Sequence, residues 1–285
     1  MFAAYATLLG LTLIWGLTFP LVQITIREIS PTLFLSLRFF IASAALFFVF
    51  GKRVLPASRQ DFWKGCAIGL FLWGGYIGQT IGLQFTSASR SGFLTGALVP
   101  LTPLFAFLLF QERFSLRLWL AVLIAFSGIF VMSRPSLGGL NFGDAVTLAS
   151  AASFALQVVY INRWSEERSL LSLTWLQLAA SAILSLGAVP LETVRFHLSY
   201  ISTGTLLITA LLASAVGIWV QMKYQPRLPA AATAVIYAME PVFAGLAAWV
   251  MLHEKPPLLT LMGAALILCG MILSSIKVEP RRNQP

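Results

Sequence analysis

Ten apolar runs, each about as long as a bilayer is thick, follow one another with few residues between them. Read between charged or turn-rich breaks, the runs cover residues 3–26, 32–50, 62–83, 91–110, 117–133, 143–163, 170–190, 203–223, 229–251 and 258–276. A membrane-crossing helix needs roughly 20 apolar residues, so ten crossings and short loops use nearly all of the 285 residues. Hydrophobic residues make up 58% of the chain and charged residues 10%, against roughly 25% charged in a soluble domain. A water-soluble core could not hide that much apolar surface, so the expected solvent is lipid. No segment is left for a soluble catalytic domain. The stretch Met1 to Gly16 lacks a basic leader region and a small-x-small cleavage site and runs on to Ile26, so it is expected to remain as the first helix.

The net charge of +9 would point to nucleic acid in a soluble protein. Here the basic residues sit in short loops, and their sidedness accounts for them better. With the N-terminus in the cytoplasm, thirteen fall inside: Lys52, Arg53, Arg59, Lys64, Arg113, Arg117, Arg163, Arg168, Lys223, Arg227, Lys277, Arg281 and Arg282. Five fall outside (Arg27, Arg90, Arg134, Arg195 and Lys255), and Arg38 lies within a span. This positive-inside bias predicts a multi-pass protein of a bacterial inner membrane with both termini cytoplasmic.

An offset of 142 lays Glu112 on Glu254 and Gly128 on Gly270, while Pro100 and Pro103 fall near Pro241 but out of register. Five helices per half would insert the second half upside down, the arrangement of inverted-repeat transporters. The expected division is 1–137 for the first half, 138–276 for the second and 277–285 for a polar cytoplasmic tail. The competing reading is that any two transmembrane hairpins look alike.

The sequence holds no G-x-x-x-x-G-K-[ST] phosphate loop, no H-E-x-x-H and no G-x-S-x-G elbow, which argues against an ATP-driven pump or a membrane enzyme. Cys66 and Cys269 have no metal or redox spacing and read as packing residues. No catalytic residue, metal or cofactor is expected.

Two ionisable residues lie well inside spans, Arg38 and Glu240. A charge at the bilayer centre costs about 2.5–3.5 kcal/mol on insertion scales and normally faces a cavity or a partner. Each is therefore either a structural strut or part of a substrate path, and Pro241 directly after Glu240 removes a backbone donor and disturbs that helix. In the third span Trp73, Tyr76 and Thr80 share a face with Gln79 at its edge, whereas Gly74, Gly78 and Gly82 form a packing ridge roughly 140° away from Trp73 at 100° per residue. Trp15, Gln157, Gln177 and Tyr237 are further mid-membrane candidates; Gln177 belongs to a polar stripe with Thr174, Ser181 and Ser185. The competing reading of each such polar group is glue between helices. Together they predict an aromatic-walled, hydrogen-bonding cavity lined by Trp15, Arg38, Trp73, Tyr76, Gln79, Gln157, Gln177, Tyr237 and Glu240.

The stretch Thr86 to Met132, with Pro100, Pro103, Gln111-Glu112-Arg113 and Ser127-Gly128, resembles the second half of an EamA repeat of the drug/metabolite transporter superfamily. Pro241, His253-Glu254, Gly263 and Gly270 are similar to a second copy, and Trp15-Gly16 and Arg38-Phe39-Phe40 to that family's openings. Two departures stand out: Gln111 and His253 replace a glycine usual before the loop glutamate, and Ala121 replaces the glycine retained at Gly263. The resemblance implies an all-α, ten-helix secondary transporter of two inverted five-helix repeats. Within the superfamily the chain looks most like YddG-type exporters of aromatic and other neutral amino acids. The expected partners are a small-molecule substrate and the lipid bilayer, with no nucleic acid, and nothing requires more than a monomer. Export of cationic drugs, anchored on Glu240, is the alternative within transporters; a channel or non-transporting scaffold is the alternative outside them.

Overall fold

The computed structural model describes residues 2–56, 58–86, 88–133, 141–165, 169–252 and 258–276. Arg134, Arg168, His253, Glu254, Lys255, Lys277, Arg281, Arg282 and the 277–285 tail lie outside them. Among the described residues the chain is all-helical, apart from an isolated antiparallel bridge between Ile29 and Phe196. The helices are α1 (Phe2–Thr25), α2 (Pro31–Phe50), α3 (Arg59–Gly82), α4 (Ala88–Thr95), α5 (Leu98–Phe110), α6 (Leu116–Ser133) and α7 (Phe142–Trp164). Then come α8 (Leu170–Ala188), α9 (Tyr200–Ile208), α10 (Gly217–Tyr224), α11 (Ala230–Tyr237), α12 (Glu240–Leu252) and α13 (Leu258–Ser275), with a π-helical segment, Thr209–Val216, joining α9 to α10.

Among the described residues seven helical stretches are long and apolar enough to cross a membrane, and two shorter apolar helices lie at 116–131 and 261–275. α3 is not among them; its 24 residues include six glycines, Gln79 and Thr80. Lipid replaces water around such helices, so each must satisfy its own backbone hydrogen bonds. The ends are closed locally. Ser58 accepts from the Asp61 backbone N–H at 3.0 Å, Asn141 and Asp144 cap α7 reciprocally, and Ser199 and Ser202 do the same for α9.

Two of the apolar runs are not single helices. The run at 91–110 is broken between α4 and α5, and that at 229–251 between α11 and α12. At both breaks the backbone tightens to three-residue bonds, Val99 to Gly96 O at 3.0 Å and Met239 to Ile236 O at 3.0 Å. The cause is proline. Pro100 and Pro241 lack the N–H that would reach back four residues, to Gly96 and Tyr237 respectively.

Element boundaries recur 142 residues apart. α4 starts and ends at 88 and 95, α11 at 230 and 237; α5 starts and ends at 98 and 110, α12 at 240 and 252; α6 starts and ends at 116 and 133, α13 at 258 and 275. Contacts recur as well. A Cβ at Gly128 of α6 would meet the Gly263 carbonyl at 2.6 Å and Ile267, and a Cβ at Gly270 of α13 would meet the Ala121 carbonyl at 2.7 Å and Ala125. Residues 121, 125 and 128 correspond to 263, 267 and 270, so the two helices pack face to face through the same positions. Such close approach is what glycine permits between membrane helices.

The buried apolar residues form two clusters. One gathers the start of α1 with α5, α6, α7 and α11; the other gathers the end of α1 with α2, α3, α8 and α10. Trp15 and Phe154 pack against both, and these two side chains also line a central cavity.

Candidate functional site

The cavity is bounded by α1, α2, α3, α4, α5, α7, α10, α11 and α12. Its walls include Trp15, Arg38, Tyr76, Gln79, Gln157, Tyr237 and Glu240, so seven of the nine side chains expected there meet around one space. Five wall positions in the first half have partners 142 residues on that also line it: Trp15 with Gln157, Tyr76 with Ile218, Gln79 with Gln221, Thr95 with Tyr237, and Leu98 with Glu240. The helix breaks place the last two pairs, since Thr95 and Tyr237 end α4 and α11 while Leu98 and Glu240 start α5 and α12.

Two expected residues do not line the cavity. The wall presented by α3 is Leu72, Tyr76, Gln79, Thr80 and Leu83, a stripe centred to one side of Trp73. At 100° per residue Trp73 projects roughly 75° from its centre, and its indole nitrogen is buried without a hydrogen-bond partner. Gln177 stands one layer back. It is fully buried and accepts from Gln157 Nε2 at 3.2 Å, while its α8 backbone is held against Gly69, where a Cβ would come 2.9 Å from the Gln177 carbonyl. Of the stripe to which it belongs, Ser181 ties α8 to α3 by donating to the Gly69 carbonyl at 3.1 Å, whereas Thr174 bonds back within α8 to the Leu170 carbonyl at 2.7 Å. Gly74, Gly78 and Gly82 abut Ser153, Ser150 and Thr147 of α7, which turns the opposite face of α3 toward the cavity.

Arg38 is 2% exposed. Its Nε donates to Ser214 Oγ at 2.8 Å, and its Cζ lies 4.4 Å from the Tyr76 ring centroid and 5.6 Å from that of Phe39. A guanidinium over an aromatic face gains about 0.5–2 kcal/mol depending on solvation. Nη2 is buried with no hydrogen-bond partner. Arg38 is therefore a strut through one nitrogen and available through another. Its anchor depends on the π segment, whose widened turns present Ser214 to Arg38 and the Ala213 carbonyl to Trp15 Nε1 at 2.9 Å. Glu240 lines the same space, and no ion pair within 4.0 Å joins it to Arg38; among the described residues the ion pair found is Arg90–Asp144. Trp15 meets Tyr237 edge to face at 5.3 Å.

A glutamine ladder leads away from the cavity. Gln157 and Gln221 bond reciprocally at 3.3 Å, and Gln221 donates to Gln225 at 3.0 Å. Gln225 donates to Asn162 at 2.6 Å and to the Val158 carbonyl at 2.8 Å, and accepts from the Tyr237 hydroxyl at 3.2 Å. Sequence reasoning missed Gln221, Gln225, Thr95 and Phe154. The offset of 142 applied to Gln79 and Tyr237 finds Gln221 and Thr95; no local signal marks Gln225 or Phe154. The volume open to water centres is about 40 Å³, room for roughly three waters at ~10–15 Å³ each. A metabolite requires these walls to separate.

A cavity enclosed by apolar, membrane-length helices is the arrangement of a membrane transporter. The profile of the EamA-like transporter family matches residues 2–134 and 141–276, and the chain belongs to that family. An uncharacterized transporter of Archaeoglobus fulgidus is 36% identical over 267 residues, 93% of this chain and 83% of that protein. The S-adenosylmethionine uptake transporter of Rickettsia bellii is 25% identical over 239 residues, 81% of this chain and 79% of that protein. A crystal structure at 20% identity superposes with a TM-score of 0.79 over 96% of both chains, which establishes the likeness of fold.

Proposed function

We propose that this membrane transporter exports small amphipathic metabolites, foremost aromatic and other neutral amino acids, by alternating access through the central cavity. The observation that carries this reading is the unpaired couple in one aromatic-walled space: Arg38 with a free buried nitrogen and Glu240 with no salt bridge to it. A neutral amino acid is a zwitterion. Its carboxylate suits the guanidinium, its ammonium suits the carboxylate, and its side chain suits Trp15, Tyr76, Phe154 and Tyr237.

The architecture proposed is ten crossings in two inverted halves, with α4 and α5 forming one crossing and α11 and α12 another. Recurrence of boundaries and of cavity positions at one offset supports it, and so does the reciprocal α6–α13 contact, which has the two-sided form of a two-fold relation. An odd number of crossings per half inverts the second half. Positive-inside counting then places both termini in the cytoplasm of a bacterial plasma membrane. Because the cavity admits little more than water, substrate enters by rocking one half against the other.

Counterflow of labelled phenylalanine and methionine in proteoliposomes tests the reading: saturable exchange is expected, and indifference to every neutral amino acid removes it. A second reading rests on Glu240, an acid without a cationic partner beside aromatic rings. That arrangement also suits an amphipathic cation, and S-adenosylmethionine, named for several relatives, joins a sulfonium and an adenine to an amino-acid head. Glu240→Gln would abolish transport of such a cation while only weakening phenylalanine exchange.

A further inference from the structure

On one side of the cavity lies a second, wider space of about 550 Å³ on the same measure, lined by Gln23, Arg27, Gln84, Thr86 and Arg195 among others. Leu83 lines both this vestibule and the central cavity, so the two spaces share it as a wall. Arg27 and Arg195 belong to the face that charge counting assigns to the outside, where arginines are disfavoured. A third outer arginine, Arg90, is engaged by the buried Asp144 at 2.6 Å and 2.9 Å. Arg27 and Arg195 are exposed, and no acid is among the residues lining the vestibule.

Their positions are built. The segment after α1 and the segment before α9 are clasped by Ser30 N–H to the Arg195 carbonyl at 3.0 Å and His197 N–H to the Glu28 carbonyl at 3.1 Å. Arg195 Nη2 donates to the Ile26 carbonyl at 3.4 Å, one residue before Arg27, and both arginines line the vestibule. Neither acid of this clasp, Glu28 or Glu192, is among the residues lining the vestibule. Glu192 Oε1 accepts from the N–H groups of Thr32 at 3.0 Å and Leu33 at 3.3 Å, closing the start of α2. The Ser199 and Ser202 hydroxyls beside Glu28 hold its carboxyl below the usual carboxylate range. The vestibule is thus left with two guanidiniums and amide and hydroxyl groups.

We propose that the vestibule is a second ligand site, taking the carboxylate of a small organic acid or amino acid between Arg27 and Arg195 before or after it passes Leu83 to Arg38. The identity of the transported ligand rests on the amino-acid reading above; the site's preference for a carboxylate rests on the vestibule alone. The test uses full-length protein in nanodiscs, titrated with hydrocinnamate, which has the carboxylate without the amine, and with phenethylamine, which has the amine without the carboxylate.

Replacing Arg27 and Arg195 together by Gln should weaken hydrocinnamate binding about tenfold, the worth of one charge-assisted contact, and leave phenethylamine unmoved. Replacement by Lys should restore most of the loss, which a merely misfolded variant would not do. Unchanged hydrocinnamate affinity, or an equal loss for both probes, overturns the proposal. Phenylalanine counterflow by the unaltered protein separates the two ideas. If it is absent while hydrocinnamate binding still depends on the two arginines, the amino-acid reading falls and the vestibule site stands.

Discussion

Leu83 and Gln225 stand 142 residues apart, each just past the end of its helix, α3 and α10. Leu83 lines the central cavity, and Gln225 stands behind its wall, bonded to Gln221 and Tyr237. Leu83 is an apolar wall shared by that cavity and the vestibule. Gln225 is fully buried and tied to Asn162, Val158, Gln221 and Tyr237. Displacing a leucine from between two spaces breaks no hydrogen bond. Displacing Gln225 breaks four, and membrane hydrogen bonds are worth roughly 0.6 kcal/mol each. Positions 142 residues apart therefore present different chemistry, and the glutamine is the costlier of the two to displace.

The sharpest way to probe this contrast is to remove the charge in the cavity. Arg38→Ala should lower phenylalanine counterflow at least about a hundredfold, because a lost charge-assisted contact of ~1.5–3 kcal/mol is compounded by loss of the Ser214 anchor. Retained counterflow would mean that the cavity charge does not handle substrate. Next in size is Gln225→Leu, which gives the glutamine position the residue found at the other. It leaves the Asn162 and Tyr237 polar groups short of partners and should destabilise by about 1–3 kcal/mol while raising thiol-reagent access to an engineered Gln221→Cys. Unchanged access would show that the ladder is not a barrier.

A smaller effect is expected from Gly16→Ala. The new Cβ would sit 2.8 Å from the Glu240 carbonyl and 2.7 Å from Phe243 Cβ, so α1 must move off α12, at about 1–3 kcal/mol in thermal unfolding. The mildest is a control remote from both positions. Gln111 caps α5 at φ 56°, ψ 27°, a left-handed conformation that disfavours a side chain. Gln111→Gly should be neutral or stabilising by up to ~1 kcal/mol, with transport unchanged.

Much of the site was legible as chemistry before it was legible as geometry. Arg38 and Glu240 stood out because charge inside an apolar run is costly, and Tyr76, Gln79 and Gln157 because polar or aromatic groups at mid-span need a purpose. Trp73 was misplaced by less than one helical step, for the phase of a stripe about its axis depends on which neighbour the glycine ridge meets. Gln225 was invisible because it lies at a helix end in sequence and joins the buried ladder only through Asn162 and Tyr237, 63 and 12 residues away. The π segment left no mark either; it exists where Arg38 and Trp15 draw on its hydroxyl and carbonyl.

Sequence alone determined that lipid surrounds this chain, where its apolar helices run, and that the two halves share an offset, because hydrophobic length and proline position act locally. Tertiary structure alone decided which polar side chains share a space and which are pressed behind it. Those outcomes depend on helix rotation and contact between segments far apart, and a few tenths of an ångström at a glycine suffice to change them.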